Sequence, residues 1–258
     1  MTHTANQIRI AQDAEHLAQA TCQWIVQLYQ ERDPSGKFSI ALSGGSTPRR
    51  LYQLLGQLPE GTIDWSDVLL IWGDERNVAP DHADSNFRMV REAMLDTISI
   101  PQENILAVPN PGGPAAEAAT AYEATLAALP KSAEGQPIID CVLLGIGDDV
   151  HTASLFPHTK ALSEMDRVVV ENWVEKLDCW RITLTAPAIN AARNVAFLIA
   201  GEGKREALNS LWNAERNIAE YPSQLIQPDQ GILWFLVDEA AVDTLDQPAG
   251  SHSESFSD

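Results

Sequence analysis

Residues 38–58 read FSIALSGGSTPRRLYQLLGQL, and this stretch decides the fold. Phe38 to Leu42 is a short β-type run. It enters the turn SGGSTP, after which Leu51, Leu54, Leu55 and Leu58 recur at helical spacing from Arg49 onward. Strand, glycine turn, helix is the unit from which parallel sheets are wound.

The same unit recurs outward in both directions. Upstream, Leu17, Thr21, Ile25 and Leu28 give an amphipathic helix from Ala11 to Arg32, ended by Asp33-Pro34-Ser35-Gly36. Downstream, the apolar run Val68–Trp72 precedes GDERN and a helix from about Ser85 to Leu95. Ile138–Leu144 precedes GIGDDVHTASLFP, residues 145–157. Further strand-like runs occur at Val168–Val170, Arg181–Leu184, Val195–Ala200 and Ile232–Val237, with a helix at Glu202–Trp212. Continuously apolar strands alternating with helices predict an α/β fold: a mainly parallel sheet with helices on both faces. Val108–Pro114 reads as a surface loop, so residues 1–245 are expected to form a single domain. Residues 246–258 are polar, acidic and aperiodic, which predicts a disordered tail.

Ligands in such folds gather at the carboxyl ends of the strands, where three glycine-bearing turns lie. In the first, Gly44 and Gly45 allow close backbone approach, Ser46 or Thr47 can cap the helix, and Pro48 suits its first turn. That pattern fits a phosphate cradle, and it fits a plain strand-to-helix turn. The second places Arg76 beside Asp74 and Glu75. If a carboxylate holds the guanidinium, its fork can meet a phosphate; otherwise the cluster is a surface ion pair. His82, Asp84 and Asn86 fit a loop and helix cap better than a metal site. The third, GIGDDVH, has Val150 where a dinucleotide loop needs glycine, and two aspartates that would repel a pyrophosphate. His151 there can act as a base oriented by Asp149, or Asp149 can simply cap a helix starting near Thr152.

Composition narrows the partners. A net charge of −19 over 258 residues argues against nucleic acid or an anionic membrane, either of which needs a cationic surface. Cys22, Cys141 and Cys179 are far apart among apolar residues, which suits reduced thiols and the cytoplasm. No apolar run approaches the roughly 20 residues that span a bilayer, and the first residues lack the pattern of a signal peptide.

Read together, LSGGSTPRRLY (42–52), WGDERNV (72–78), Ser85-Asn86, LLGIGDDVHTASLFP (143–157), RITLTAPAINAARNVAFLIAGEGK (181–204) and Tyr221-Pro222-Ser223 resemble the 6-phosphogluconolactonase family. Its superfamily also holds glucosamine-6-phosphate deaminase and ribose-5-phosphate isomerase. The resemblance implies a modified Rossmann-like fold and hydrolysis of 6-phospho-D-glucono-1,5-lactone in the oxidative pentose phosphate pathway, with neither metal nor organic cofactor. It implies that His151 activates water, and that phosphate is bound by the Ser43-Gly44-Gly45-Ser46-Thr47 loop, Arg76, Arg181 and Lys204. A small sugar phosphate lactone is the expected partner and a monomer the expected state. One departure stands out: the family pattern GxGxDGH has glycine where this chain has Val150. A positive φ there would strain a β-branched residue. An amino-sugar-phosphate deaminase or isomerase and a non-catalytic sugar-phosphate sensor are the alternatives.

Overall fold

The computed structural model describes residues 6–248 and 250–256. The chain enters with β1 (Gln7–Ala11), and Asp13 then accepts the His16 amide at 2.8 Å to start α1 (Ala14–Glu31). β2 (Phe38–Leu42) is buried at every residue, as a strand covered on both faces must be, and leads through Gly45 into α2 (Ser46–Leu55). β3 (Val68–Trp72) is followed after one glycine by β4 (Asp74–Arg76), then by α3 (Asn86–Val90), which continues as a π turn through Leu95. A short β5 (Ile105–Leu106), α4 (Ala115–Leu126) and β6 (Cys141–Leu144) follow. The second half holds β7 (Val169–Val174), β8 (Cys179–Leu184), α5 (Ala186–Asn190), β9 (Asn194–Ile199), α6 (Arg205–Asn213), β10 (Ile232–Asp238), α7 (Glu239–Val242) and β11 (His252–Ser255).

Eight strands form one sheet in the order β11-β1-β10-β9-β6-β2-β3-β5, every pair of them parallel. The expected α/β fold is therefore present. From β2 the chain winds outward to β3 and β5, then returns so that β6 lies on the other side of β2. That reversal makes the carboxyl ends of β2 and β6 the topological switch point, where an open sheet leaves a crevice.

The strands read at Val168 and Arg181 do not belong to this sheet. They are β7 and β8, which pair antiparallel with β4 in a separate three-stranded sheet, order β4-β8-β7. The tail expectation needs correction for residues 252–255, which form β11 along β1, where Arg9 also pairs with Glu254. β1 would otherwise present an open edge of unpaired N–H and C=O groups, which overrides the polar composition of the segment. Residues 1–5, 249, 257 and 258 lie outside the described residues.

Two buried tyrosines fix the strand ends that lead to the crevice. The Tyr52 hydroxyl bonds both Ser43 N and Ser43 O at 2.9 Å, and the Tyr122 hydroxyl bonds Trp72 N and O at 2.7 and 2.9 Å. Burial pushes both phenols well above their ordinary range, which keeps the hydroxyls protonated as donors near neutral pH.

Candidate active site

At the switch point the turns after β2 and β6 face the antiparallel sheet across a cleft of about 450 Å³. Ser43, Gly44 and Gly45 line it together with Asp149 and His151 and the cationic Arg76, Arg181 and Lys204. Ser46 and Thr47 do not line it; they begin α2, and neither side chain caps the helix. Its N-cap is Gly45, at φ +114°, a conformation reserved for glycine, so the first amides of α2 have no side-chain partner of their own. Gly44 is required for space instead: a Cβ there would stand 2.1 Å from Asn86 Oδ1.

The two arginines are the electrostatic signature. Arg76 and Arg181 are directly opposite in the β4–β8 register, an arrangement of like charges that destabilises a sheet unless an anion joins them. Their Nε atoms are both buried without a hydrogen-bond partner among the described residues, as is Ser43 Oγ. Orphaned donors on residues that line one cleft are what a phosphate would satisfy. The carboxylates of Asp74 and Glu75 do not hold the Arg76 guanidinium, contrary to one expectation. Arg76 Nη1 donates to Asp84 O at 2.6 Å. The Glu75 carboxylate accepts the amides of Arg76, Asn86 and Phe87 at 2.7–2.8 Å, at the start of α3. Burial raises its pKa against the pull of those amides. Asp74, also buried, accepts from Ser154 Oγ at 2.6 Å and from Asn86 Nδ2, which also bonds Asp74 O at 2.9 Å. His82 and Asp84 lie in an exposed turn before the Ser85 cap. No group of three or more His, Cys, Asp or Glu side chains suited to a metal occurs among the described residues.

His151 sits on an irregular turn. No helix begins at Thr152; the segment from Gly145 to Thr159 is a chain of bends, with Val150, Ala153 and His158 all at positive φ. The imidazole lies over Gly147, where a Cβ would come within 2.0 Å of Nδ1, and stacks on Phe156 at 3.9 Å. Nδ1 meets Asp149 Oδ1 at 2.5 Å. A carboxylate on Nδ1 fixes the proton there in the neutral ring and leaves Nε2 as the basic nitrogen, which has no protein partner among the described residues. Burial opposes ionisation of Asp149, but the bonds from His151 and the Lys176 ammonium outweigh it and hold the carboxyl below its usual range. Asp148 is held low in the same way by Lys204, at 2.6 Å. Both aspartates are thus bound to lysines rather than left to repel an anion.

A larger groove of about 1370 Å³ adjoins, sharing Asp148, Asp149, Phe156 and Lys176, but neither His151 nor either arginine lines it. The histidine and both arginines line the smaller cleft.

A family model described as glucosamine-6-phosphate isomerases/6-phosphogluconolactonase matches residues 12–235. The chain belongs to that family. Among its relatives, a 6-phosphogluconolactonase of Nostoc sp. is 48% identical over 202 residues, covering 78% of this chain and 82% of the relative. One from Synechocystis sp. is 43% identical over 206 residues, covering 80% and 84%. The solved structure of 6-phosphogluconolactonase from Trypanosoma brucei superposes with a TM-score of 0.82 at 30% identity, over 95% of this chain and 100% of that one.

Against this family frame, the cleft brings together Ser43, Gly44, Gly45, Arg76, Asp149, His151, Arg181 and Lys204 as expected from sequence, and leaves out the side chains of Ser46 and Thr47. Sequence reading missed Asp74 and Asn86 as cleft residues, having read them as an arginine partner and a cap. Lys176 gave no signal at all, because it reaches the Asp149 carboxylate only through the fold, whereas Phe156 stands in the quoted stretch 143–157 and only its stacking on His151 was missed.

Proposed function

We propose that the chain hydrolyses 6-phospho-D-glucono-1,5-lactone to 6-phospho-D-gluconate, the lactonase step of the oxidative pentose phosphate pathway. The observation that carries this is one cleft holding an imidazole with a free Nε2 and two opposed guanidiniums with orphaned Nε donors. The phosphate binds between Arg76, Arg181 and Lys204 and the start of α2, which fixes the ring carbonyl beside His151. His151 Nε2 takes a proton from water as its oxygen adds to the carbonyl carbon. As the tetrahedral species collapses, the bond from that carbon to the ring oxygen breaks, and the imidazolium returns the proton to the departing oxygen. Asp149 orients the ring and stabilises its charged form.

The net charge of −19 over the whole chain disfavours any extended polyanion, so attraction for a small anion comes locally from Arg76, Arg181 and Lys204 in the cleft. Unpaired Cys22, Cys141 and Cys179 support the cytoplasm as the working compartment, and no helix is long and apolar enough to cross a membrane among the described residues. The deciding assay is proton release from fresh lactone, corrected for spontaneous hydrolysis. Acceleration is expected. Ammonia release from glucosamine 6-phosphate instead, or binding of 6-phosphogluconate with no acceleration, would overturn the reading.

A further inference from the structure

Val150 occupies the position where the family pattern has glycine, and its φ is +61°. That region is rarely visited by β-branched residues, and glycine takes it without help. Something outside the turn must hold Val150 there. Within the turn, Val150 N donates to Gly147 O and Gly147 N to His151 O, both at 2.9 Å, which leaves the Val150 carbonyl to be satisfied elsewhere. Ser223 satisfies it twice: its amide donates at 3.0 Å and its hydroxyl at 2.7 Å, from 73 residues away in sequence. Ser223 is completely buried, and the turn that carries it is fixed in turn. Ile226 N donates to Ser223 O at 3.1 Å, Asn190 Nδ2 to Leu225 O at 2.9 Å, and Asn217 N to the Gln224 side chain at 2.8 Å. Ser223 does not line the cleft.

We infer that Ser223 is a positioning residue: its two donors lock the Val150 carbonyl, hold a non-glycine residue in left-handed backbone, and so aim the His151 imidazole at the cleft. The peptide being held is the one that joins Val150 to His151. When one donor is lost, Val150 relaxes toward negative φ, that peptide rotates, and the ring swings off Asp149. A glycine at 150 needs no clamp, so the dependence on Ser223 belongs to this chain's valine.

This rests on the lactonase reading for its kinetic test, which compares S223A, V150G and the double variant at a temperature well below unfolding. S223A is expected to lower kcat about five- to tenfold, the worth of one buried hydrogen bond, with KM and inhibition by 6-phosphogluconate unchanged. The double variant is expected to match V150G in kcat within about twofold, because glycine removes the need for the clamp. V150G loses a side chain only 3% exposed but also the strain of a positive φ, so the Tm of each variant is measured alongside and kcat is compared where every variant is fully folded. An S223A variant with full kcat, or an equal deficit in both backgrounds, would overturn the proposal. If S223A does not fold, the double variant against V150G decides alone: equal kcat supports the clamp, a five- to tenfold deficit sinks it. If the wild type shows no lactonase activity, that reading fails separately. The His151 Nδ1 nuclear magnetic resonance signal then reports whether S223A loses the Asp149 contact.

Discussion

The turns after β2 and β6 leave neighbouring strands at the same switch point, yet they are built on opposite principles. The first is local: Gly45 supplies the positive φ, α2 begins at once, and Tyr52, nine residues on, ties down Ser43. The second is held from afar. Its left-handed residues are not glycines, and its groups reach Asp74, Thr183, Asn172 and Ala219 as well as the clamp on Val150. A turn that holds a bound anion can rely on amides at a helix start, whereas a turn that aims one imidazole has to be cross-braced.

Removing the ring gives the largest expected effect. His151→Ala should lower kcat about 10²- to 10⁴-fold, the usual range for a general base, while 6-phosphogluconate still binds through the other turn. A loss of product binding equal to the loss of rate would erase the division between the two turns.

One methyl group placed in each turn sharpens the contrast. Gly147→Ala drives a Cβ to 2.0 Å from His151 Nδ1, and Gly44→Ala drives one to 2.1 Å from Asn86 Oδ1. Neither glycine has a positive φ, so sterics alone act. Gly147→Ala should cost about 10² in kcat by misplacing the base, with KM retained. Gly44→Ala should instead raise KM, since it displaces the wall of the anion cradle. Steady-state kinetics on both variants checks the split, and the same pattern in both would refute it.

How far the sequence led follows the same division. β2 and β3 have the bounds that their apolar runs predict, because a strand buried on both faces writes its limits in composition. The glycine turns and His151 were legible for a related reason: residue type there is dictated within a few positions. α4 was not assigned, being rich in alanine with little contrast between its faces, and β4 was hidden because three polar residues pair only with a distant strand. The antiparallel sheet, Lys176 and the role of Ser223 are tertiary facts, and no local pattern encodes them.

Arg181 tests the cradle against the fold. Opposed to Arg76, it contributes repulsion to the empty sheet and attraction to a phosphate. Arg181→Gln should therefore raise KM about 10- to 100-fold, as the loss of a charged hydrogen bond does, without lowering Tm. A drop in Tm with KM unchanged would make the pair structural.

The smallest effect concerns the brace on the base. Burial pushes the Asp149 carboxyl up, but His151 and Lys176 together pull it well below the ordinary value of about 3.9. A carboxyl whose pKa is depressed by folding stabilises the native state fully above its unfolded pKa, and that contribution fades as pH falls through the folded value. Asp149→Asn cannot ionise and has no such contribution. The difference in urea midpoint between wild type and Asp149→Asn should thus be largest near pH 6 and shrink below about pH 4. Because the Lys176 side chain is 56% exposed, added salt should narrow the gap at pH 6 as well. A gap that is constant with pH would mean that His151 and Lys176 do not hold this carboxylate in its ionised form, and the base would then lack the orienting charge on which its tautomer depends.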